Sequence, residues 1–258
     1  MEKEKLEIVL VQFDIEWEAP QKNQQTIEAY LKAVDSADII VLPEMFSTGF
    51  IQNPKQFAET MLGNTIQWMK SLANEKQAVV CGSLVIEEKG SYYNRFLFVK
   101  PDQSVEYYDK KHLFSFGGEG KNFSAGSEQK LFNYSGWKIA PFICYDLRFP
   151  VWSRNAQDYD LAIYVANWPK PRAIAWETLL RARSIENQTY VIGVNRVGVD
   201  VNKFEYIGGS NVYDPLGKQL LEATETVQIF RTTIDKNHLM EIRTQVPFLR
   251  DRDNFEFK

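Results

Sequence analysis

Three segments of this 258-residue chain carry a reactive side chain at the point where a buried strand gives out. The first is Ile139-Ala140-Pro141-Phe142-Ile143-Cys144-Tyr145-Asp146-Leu147-Arg148-Phe149-Pro150, in which a cysteine ends an apolar run. The carboxyl ends of strands are where α/β sheets present reactive groups. A cysteine at such a turn, with backbone N–H groups beside it and an acid or base near, is set up as a nucleophile, because a thiolate forms a covalent intermediate more readily than a hydroxyl does. The competing reading is a small buried hydrophobe, and for Cys144 the local sequence leaves the two in balance. Cys81, between Val80 and Gly82 within a strand, reads as a packing residue.

The second segment is Leu42-Pro43-Glu44-Met45-Phe46. Its glutamate follows a buried strand and has apolar neighbours, and desolvation there raises a carboxylate's proton affinity and suits it to moving protons near neutral pH. A structural salt bridge is the alternative for Glu44. The third is Tyr107-Tyr108-Asp109-Lys110-Lys111-His112-Leu113-Phe114. Neighbours at a strand end point to opposite sides, so only one of Lys110 and Lys111 can face a given site. There it would stabilise the oxyanion of a tetrahedral intermediate together with a backbone N–H; a solvated lysine pair is the simpler reading. His112 can be drawn as a general base, but its place among aromatics suits a packed, hydrogen-bonded role.

The elements that must position these groups alternate. Leu6 to Phe13 reads as a buried strand, Asn23 to Val34 as a helix, and Asp38 to Pro43 as a second strand. A second helix, Gly63 to Ala73, is expected to pack through Leu62, Ile66, Met69 and Leu72. Strands follow at Ala78 to Val85, Tyr92 to Val99 and Val105 to Tyr108, in hairpin fashion, then at Lys138 to Cys144 and Leu161 to Ala166. A long helix, Ala173 to Asn187, carries Trp176, Leu179, Leu180 and Ile185, and strands at Val191 to Arg196, Gly209 to Tyr213 and Gln228 to Ile234 complete the set. The pattern predicts a layered α/β fold, strands packed on strands with helices outside, and, without linkers or repeats, one domain over residues 1–258.

Composition excludes several classes. A formal charge of −4, without a basic stripe, makes nucleic acid an unfavourable partner. No apolar run approaches the roughly 18 residues that span a bilayer, and Met1 to Lys5 lacks the apolar stretch of a secretory signal, so a cytoplasmic protein is expected. Two cysteines and two histidines form no metal-ligand pattern, and there is no phosphate-binding glycine loop; no metal and no cofactor are expected.

Taken in order, Leu42-Pro43-Glu44, Tyr108 to Phe114 and Ile143 to Pro150 resemble the Glu-Lys-Cys blocks of the nitrilase superfamily. Asn167-Trp168-Pro169, Leu180 to Val191, Asn195-Arg196 and Gly208-Gly209-Ser210 extend the likeness over nearly the whole chain. The resemblance implies a four-layer α-β-β-α sandwich that pairs into a homodimer through its outer helices. It implies Cys144 as nucleophile, Glu44 as base and, from the family's Lys-x-His pattern, Lys110 as the cation, with Glu119 as a second glutamate at the site. Glu44 would take the thiol proton, Cys144 would attack an amide carbon, and Lys110 with the Tyr145 N–H would hold the oxyanion. Ammonia would leave, and water activated by Glu44 would hydrolyse the thioester.

Within the superfamily the chain looks most similar to the ω-amidase branch, which acts on 2-oxo acids bearing a terminal amide. Such a small-molecule substrate carries a carboxylate, for which Arg172 or Lys170 is the candidate cation, with two solvated loop charges as the alternative. Trp168 and Phe116 are candidates to line the pocket. A carbamoyl-amide hydrolase, a true nitrilase or a non-catalytic partner protein of the same fold are the other readings.

Overall fold

The computed structural model describes residues 2–221 and 224–257. Strands and helices alternate from the start: β1 (Lys5–Gln12), α1 (Pro20–Leu31), β2 (Ile39–Val41), α2 (Asn64–Lys76) and β3 (Val79–Glu88). A meander of β4 (Ser91–Val99) and β5 (Val105–Asp109) comes next. The second half runs through β6 (Phe132–Tyr134), β7 (Trp137–Ile143), β8 (Leu161–Ala166), α3 (Ala173–Asn187) and β9 (Tyr190–Asn195). It ends with a small hairpin of β10 (Val197–Val199) and β11 (Glu205–Ile207), then β12 (Asn211–Tyr213), β13 (Gln228–Asp235) and α4 (Lys236–Gln245).

These strands make two mixed sheets, ordered β13-β1-β2-β3-β4-β5 and β12-β9-β8-β7-β6. Strand periodicity decides what each face buries. In the first sheet Leu6, Ile8, Leu10, Ile39, Val41, Val79, Cys81, Phe96 and Phe98 turn toward the second sheet and join Trp137, Ile139, Ile163 and Ile192 in one core. The alternate residues Val9, Val11, Ile40, Val80 and Leu97 face outward, where Ile27 and Leu31 of α1 and Ile66, Met69 and Leu72 of α2 cover them. On the far side α3 lies on the second sheet through Trp176 and Leu180. The fit is close: a Cβ on Gly193 of β9 would stand 2.3 Å from Leu180 Cδ1 and 2.9 Å from Trp176 Cζ2. The result is the expected four-layer sandwich, and each side chain sealed in its cores contributes about 1.5–3 kcal/mol of transfer free energy.

Differences from the sequence reading are local. Leu62 is 80% exposed rather than packed, because α2 begins only at Asn64, after Glu59 has turned back to accept from the Thr65 N–H at 2.8 Å. Ile185, on the outer face of α3, is likewise exposed. The short β6, the β10–β11 hairpin and α4 have no counterpart in the sequence pattern.

Strand direction gathers the reactive ends. β1, β2 and β3 are parallel, and β5, like β3, runs antiparallel to β4, so β2 and β5 end on the edge where β4 begins. In the second sheet β7, β8 and β9 are parallel, and β7 and β8 deliver Cys144 and Asn167 from adjacent ends.

Candidate active site

Glu44 reaches its place because β2 is only three residues long and Pro43, which has no N–H, ends its ladder. The chain then folds back against β3, with Leu42 donating to the Cys81 carbonyl at 2.7 Å and the Met45 N–H to Ser83 Oγ at 2.9 Å. Gly82 makes this approach possible: a Cβ there would lie 2.9 Å from Leu42 Cβ and 3.1 Å from its carbonyl oxygen. Lys110 follows β5 directly, and its N–H donates to the Asn94 carbonyl of β4 at 2.9 Å, prolonging the ladder by one bond. Glu119 arrives on the loop after Phe114, fixed by the Phe114 N–H, which donates to its Oε2 at 2.6 Å.

These side chains meet out of contact with water. Lys110 Nζ lies 2.9 Å from Glu44 Oε1 and 2.9 and 3.1 Å from the two oxygens of Glu119, with all three side chains fully buried. Asn94 Nδ2 donates to Glu44 Oε1 at 2.8 Å and to Glu119 Oε1 at 3.1 Å. The Asn167 N–H donates to Glu44 Oε2 at 2.8 Å, and its side-chain amide to the Glu44 carbonyl at 2.6 Å. Of the adjacent lysines the structure brings in Lys110; Lys111 points away, its ammonium 5.2 Å over the Trp152 ring.

Cys144 opens a single 3-10 turn, Cys144–Arg148, with a left-handed φ of +45°. Asp146 anchors that turn. Its carboxylate accepts from the Ile143 N–H at 3.0 Å, the His112 N–H at 3.0 Å and the Tyr108 hydroxyl at 2.8 Å, and meets His112 Nδ1 at 2.8 Å. The His112 ring also stacks on Phe149 at 3.7 Å, so the histidine is a structural clamp.

Burial, then the charge of Glu44, pushes the Cys144 thiol well above its usual range, against the pull of Lys110. The sulfur therefore rests as a thiol, and its proton must be removed as it reacts. Burial acts to lower Lys110, but the charges of Glu119 and Glu44 outweigh it and hold the ammonium above its ordinary value. Burial raises Glu119, opposed by Lys110 and reinforced by Glu44. Chemically this is a buried carboxylate pair and a fixed cation beside a sulfur at the foot of a cavity, an arrangement suited to acyl transfer.

That cavity, about 260 Å³, opens over Cys144 and Tyr145. Its walls include Phe114, Phe116, Trp168, Arg148 and Arg172, with Asp200 and Tyr206 from the hairpin on the other side. Trp168 is buried, its indole N–H donating to the Arg172 carbonyl at 2.7 Å, whereas Phe116 is 88% exposed at the rim. Arg172 lies against the Phe114 ring at 5.2 Å. Lys170 does not line the cavity: it faces outward and pairs with Glu205 at 2.8 Å, one half-exposed side chain against another. Positions i and i+2 of a 3-10 turn differ by about 240°, so Lys170 and Arg172 face different sides of the turn. Sequence reasoning missed three members. Arg148 lies in the cysteine block, four residues on, and its guanidinium sits 4.8 Å over the Trp168 ring; Asn167 belongs to the Asn167-Trp168-Pro169 segment of the resemblance, which assigns it no role, and Asn94 gives no signal beyond its polar character in apolar surroundings. Among the described residues no group of three or more His, Cys, Asp or Glu side chains is disposed to hold a metal ion.

A strand-packed sandwich with a sulfur in its cavity and a buried cluster of two carboxylates and an ammonium behind it defines a hydrolase-type site. Residues 8–244 match the carbon-nitrogen hydrolase family, and the chain belongs to that family. It is 43% identical over 254 residues to an omega-amidase of Yersinia enterocolitica, covering 97% of this chain and 98% of that protein. A 2-oxoglutaramate amidase of Bacillus subtilis is 34% identical over 250 residues, 95% of this chain and 96% of its own. The crystal structure of a CN-hydrolase superfamily protein from Xanthomonas campestris, which carries an arsenic adduct in its active site, superposes with a TM-score of 0.97 at 41% identity, covering 99% of this chain and 100% of that one.

Proposed function

We propose that this chain is an ω-amidase that hydrolyses the terminal amide of small 2-oxo acid amides, such as 2-oxoglutaramate, to the acid and ammonia through a thioester on Cys144. The observation that carries the reading is the placement of Cys144 beside the buried Glu44–Lys110–Glu119 cluster, in a cavity whose walls hold two arginines. Glu44 takes the thiol proton as Cys144 attacks the amide carbon. The oxyanion is held by Lys110 and the Tyr145 N–H. Glu44 returns the proton to the amide nitrogen, which leaves as ammonia. Water, deprotonated by Glu44 and positioned by Glu119, then attacks the thioester carbon, and the proton goes back to the sulfur as the acid departs.

Arg148 and Arg172 are the cations for the substrate carboxylate, and Trp168 and Phe116 limit the water around it. Support for the substrate class comes from the relatives named for this activity. The whole chain acts as one domain. Exposed Ile174 and Ile185 on α3 suit the expected homodimer. No described helix is long and apolar enough to cross a membrane, and the site of action we propose is the cytoplasm.

A panel of 2-oxoglutaramate, a ureido acid, a nitrile and a neutral amide, with products identified, tests the reading, together with intact mass after brief exposure to substrate. Preferred hydrolysis of the oxo-acid amide with an acyl adduct on Cys144 is expected. Full amidase activity in Cys144→Ala would refute it.

A further inference from the structure

We propose that Asn94 is a positioning residue of this site, one that holds Glu44 and Glu119 side by side and thereby leaves a hydrogen of Lys110 free for the substrate oxygen. The inference rests on the functional reading above and assigns a role to a residue outside its chemistry.

The geometry is a four-cornered ring. Glu44 Oε1 and Glu119 Oε1 occupy two opposite corners; Lys110 Nζ, at 2.9 and 3.1 Å from them, and Asn94 Nδ2, at 2.8 and 3.1 Å, occupy the others. Two buried carboxylate oxygens facing each other repel, and donors at the remaining corners are what allow both to carry charge. Counting the hydrogens gives the consequence. Lys110 has three, and it touches three carboxylate oxygens; if it were their only donor, none would be left. The two Asn94 hydrogens serve the facing Oε1 atoms, while the Asn167 N–H serves Glu44 Oε2 and the Phe114 N–H serves Glu119 Oε2. Every carboxylate oxygen thus has a donor besides the lysine, so the ammonium can turn one hydrogen to an oxyanion without orphaning an acid.

A further observation sets Asn94 apart from a packing residue. It is fully buried, and its Oδ1 has no hydrogen-bond partner among the described residues, an arrangement that costs stability and that an apolar side chain would avoid. The backbone carbonyl at position 94 also receives the Lys110 N–H at 2.9 Å, a bond that Leu or Asp there would keep, so such variants change the side-chain donors alone.

The test uses Asn94→Leu, which removes both donors, and Asn94→Asp, which adds a charge in nearly the same volume. The titratable groups facing the position are Glu44, Glu119 and Lys110, with Cys144 beyond them. Loss of donors or gain of negative charge raises the proton affinity of the cluster, so the acid limb of kcat/KM moves to higher pH by about one unit or more, further in Asn94→Asp. The midpoint of Cys144 alkylation by iodoacetamide rises with it, a readout that needs no amide substrate. The decrease falls on kcat, with KM changed less than about threefold. Limbs and alkylation midpoints unmoved in both variants, whatever the loss of rate, overturn the proposal. Should Asn94→Leu prove unfolded by circular dichroism, Asn94→Asp alone decides. A wild-type protein inert to every amide overturns the functional reading instead, and the alkylation profiles still decide the role of Asn94.

Discussion

Replacing Lys110 with Met removes the only cation in contact with Glu44 and Glu119 among the described residues, while keeping most of the side-chain volume. The lysine lies 2.9 Å from a carboxylate oxygen of each, with no solvent to take its place. Deleting one partner of a buried ion pair costs about 3–5 kcal/mol, because a charge is left uncompensated. Proton uptake limits the loss here: burial already raises Glu119, and without the lysine it rises further until the carboxyl is neutral. At about 2–4 °C per kcal/mol for a chain of this size, Tm at neutral pH should fall by about 6–20 °C, toward the lower end where proton uptake is complete. The sign of the pH dependence follows. A carboxyl whose folded pKa lies above its unfolded value contributes stability that is fully present below the unfolded pKa and is lost as pH rises through the folded one. The deficit of Lys110→Met against wild type therefore shrinks toward about pH 5 and widens toward about pH 8. Calorimetric scans across that range measure it, and kcat should fall by about 100-fold or more with the oxyanion donor gone. A Tm within about 2 °C of wild type at every pH would refute the claim that this ammonium neutralises the acids.

Arg148→Gln and Arg172→Gln should each raise KM for a 2-oxo acid amide by about 10- to 100-fold, from the loss of a charged hydrogen bond, and leave a neutral amide little changed; steady-state kinetics on the two substrates separates the effects. Lys170→Ala, acting on a surface pair with Glu205, should leave KM for both substrates within about twofold. Asp146→Ala orphans the donors that anchor the cysteine turn and should cost about 2–4 kcal/mol, with faster amide hydrogen exchange over residues 143–149. Brief iodoacetamide treatment should mark Cys144 alone, since Cys144 lines the open cavity whereas Cys81 is sealed in the core between the sheets.

Much of this arrangement could be read from residue order. Glu44 and Cys144 each follow an apolar run, and apolar runs are what a sequence displays most plainly; β8 and α3 begin and end where their periodicity says. What stayed hidden depends on distance across the sandwich. Asn94 and Asn167 lie on or beside strands of different sheets, and their value comes only when the sheet edges meet over Glu44. Arg148 and Lys170 exchange expectations for a related reason, because the facing of a side chain in a one-turn helix is decided by its neighbours, Trp168 for one and Glu205 for the other. The hairpin that closes the cavity has three-residue strands, too short for alternation to show, and α4 buries only Leu239 and Ile242.

The cysteine's backbone also bears on how such a chain can change over time. A φ of +45° at residue 144 is a region that side-chain-bearing residues enter at a cost of about 1 kcal/mol or more and that glycine enters freely. A mutant that discards the sulfur for glycine would be inert yet sturdier than its volume loss suggests. The strain at this position thus offsets part of the packing that the loss of the sulfur would remove.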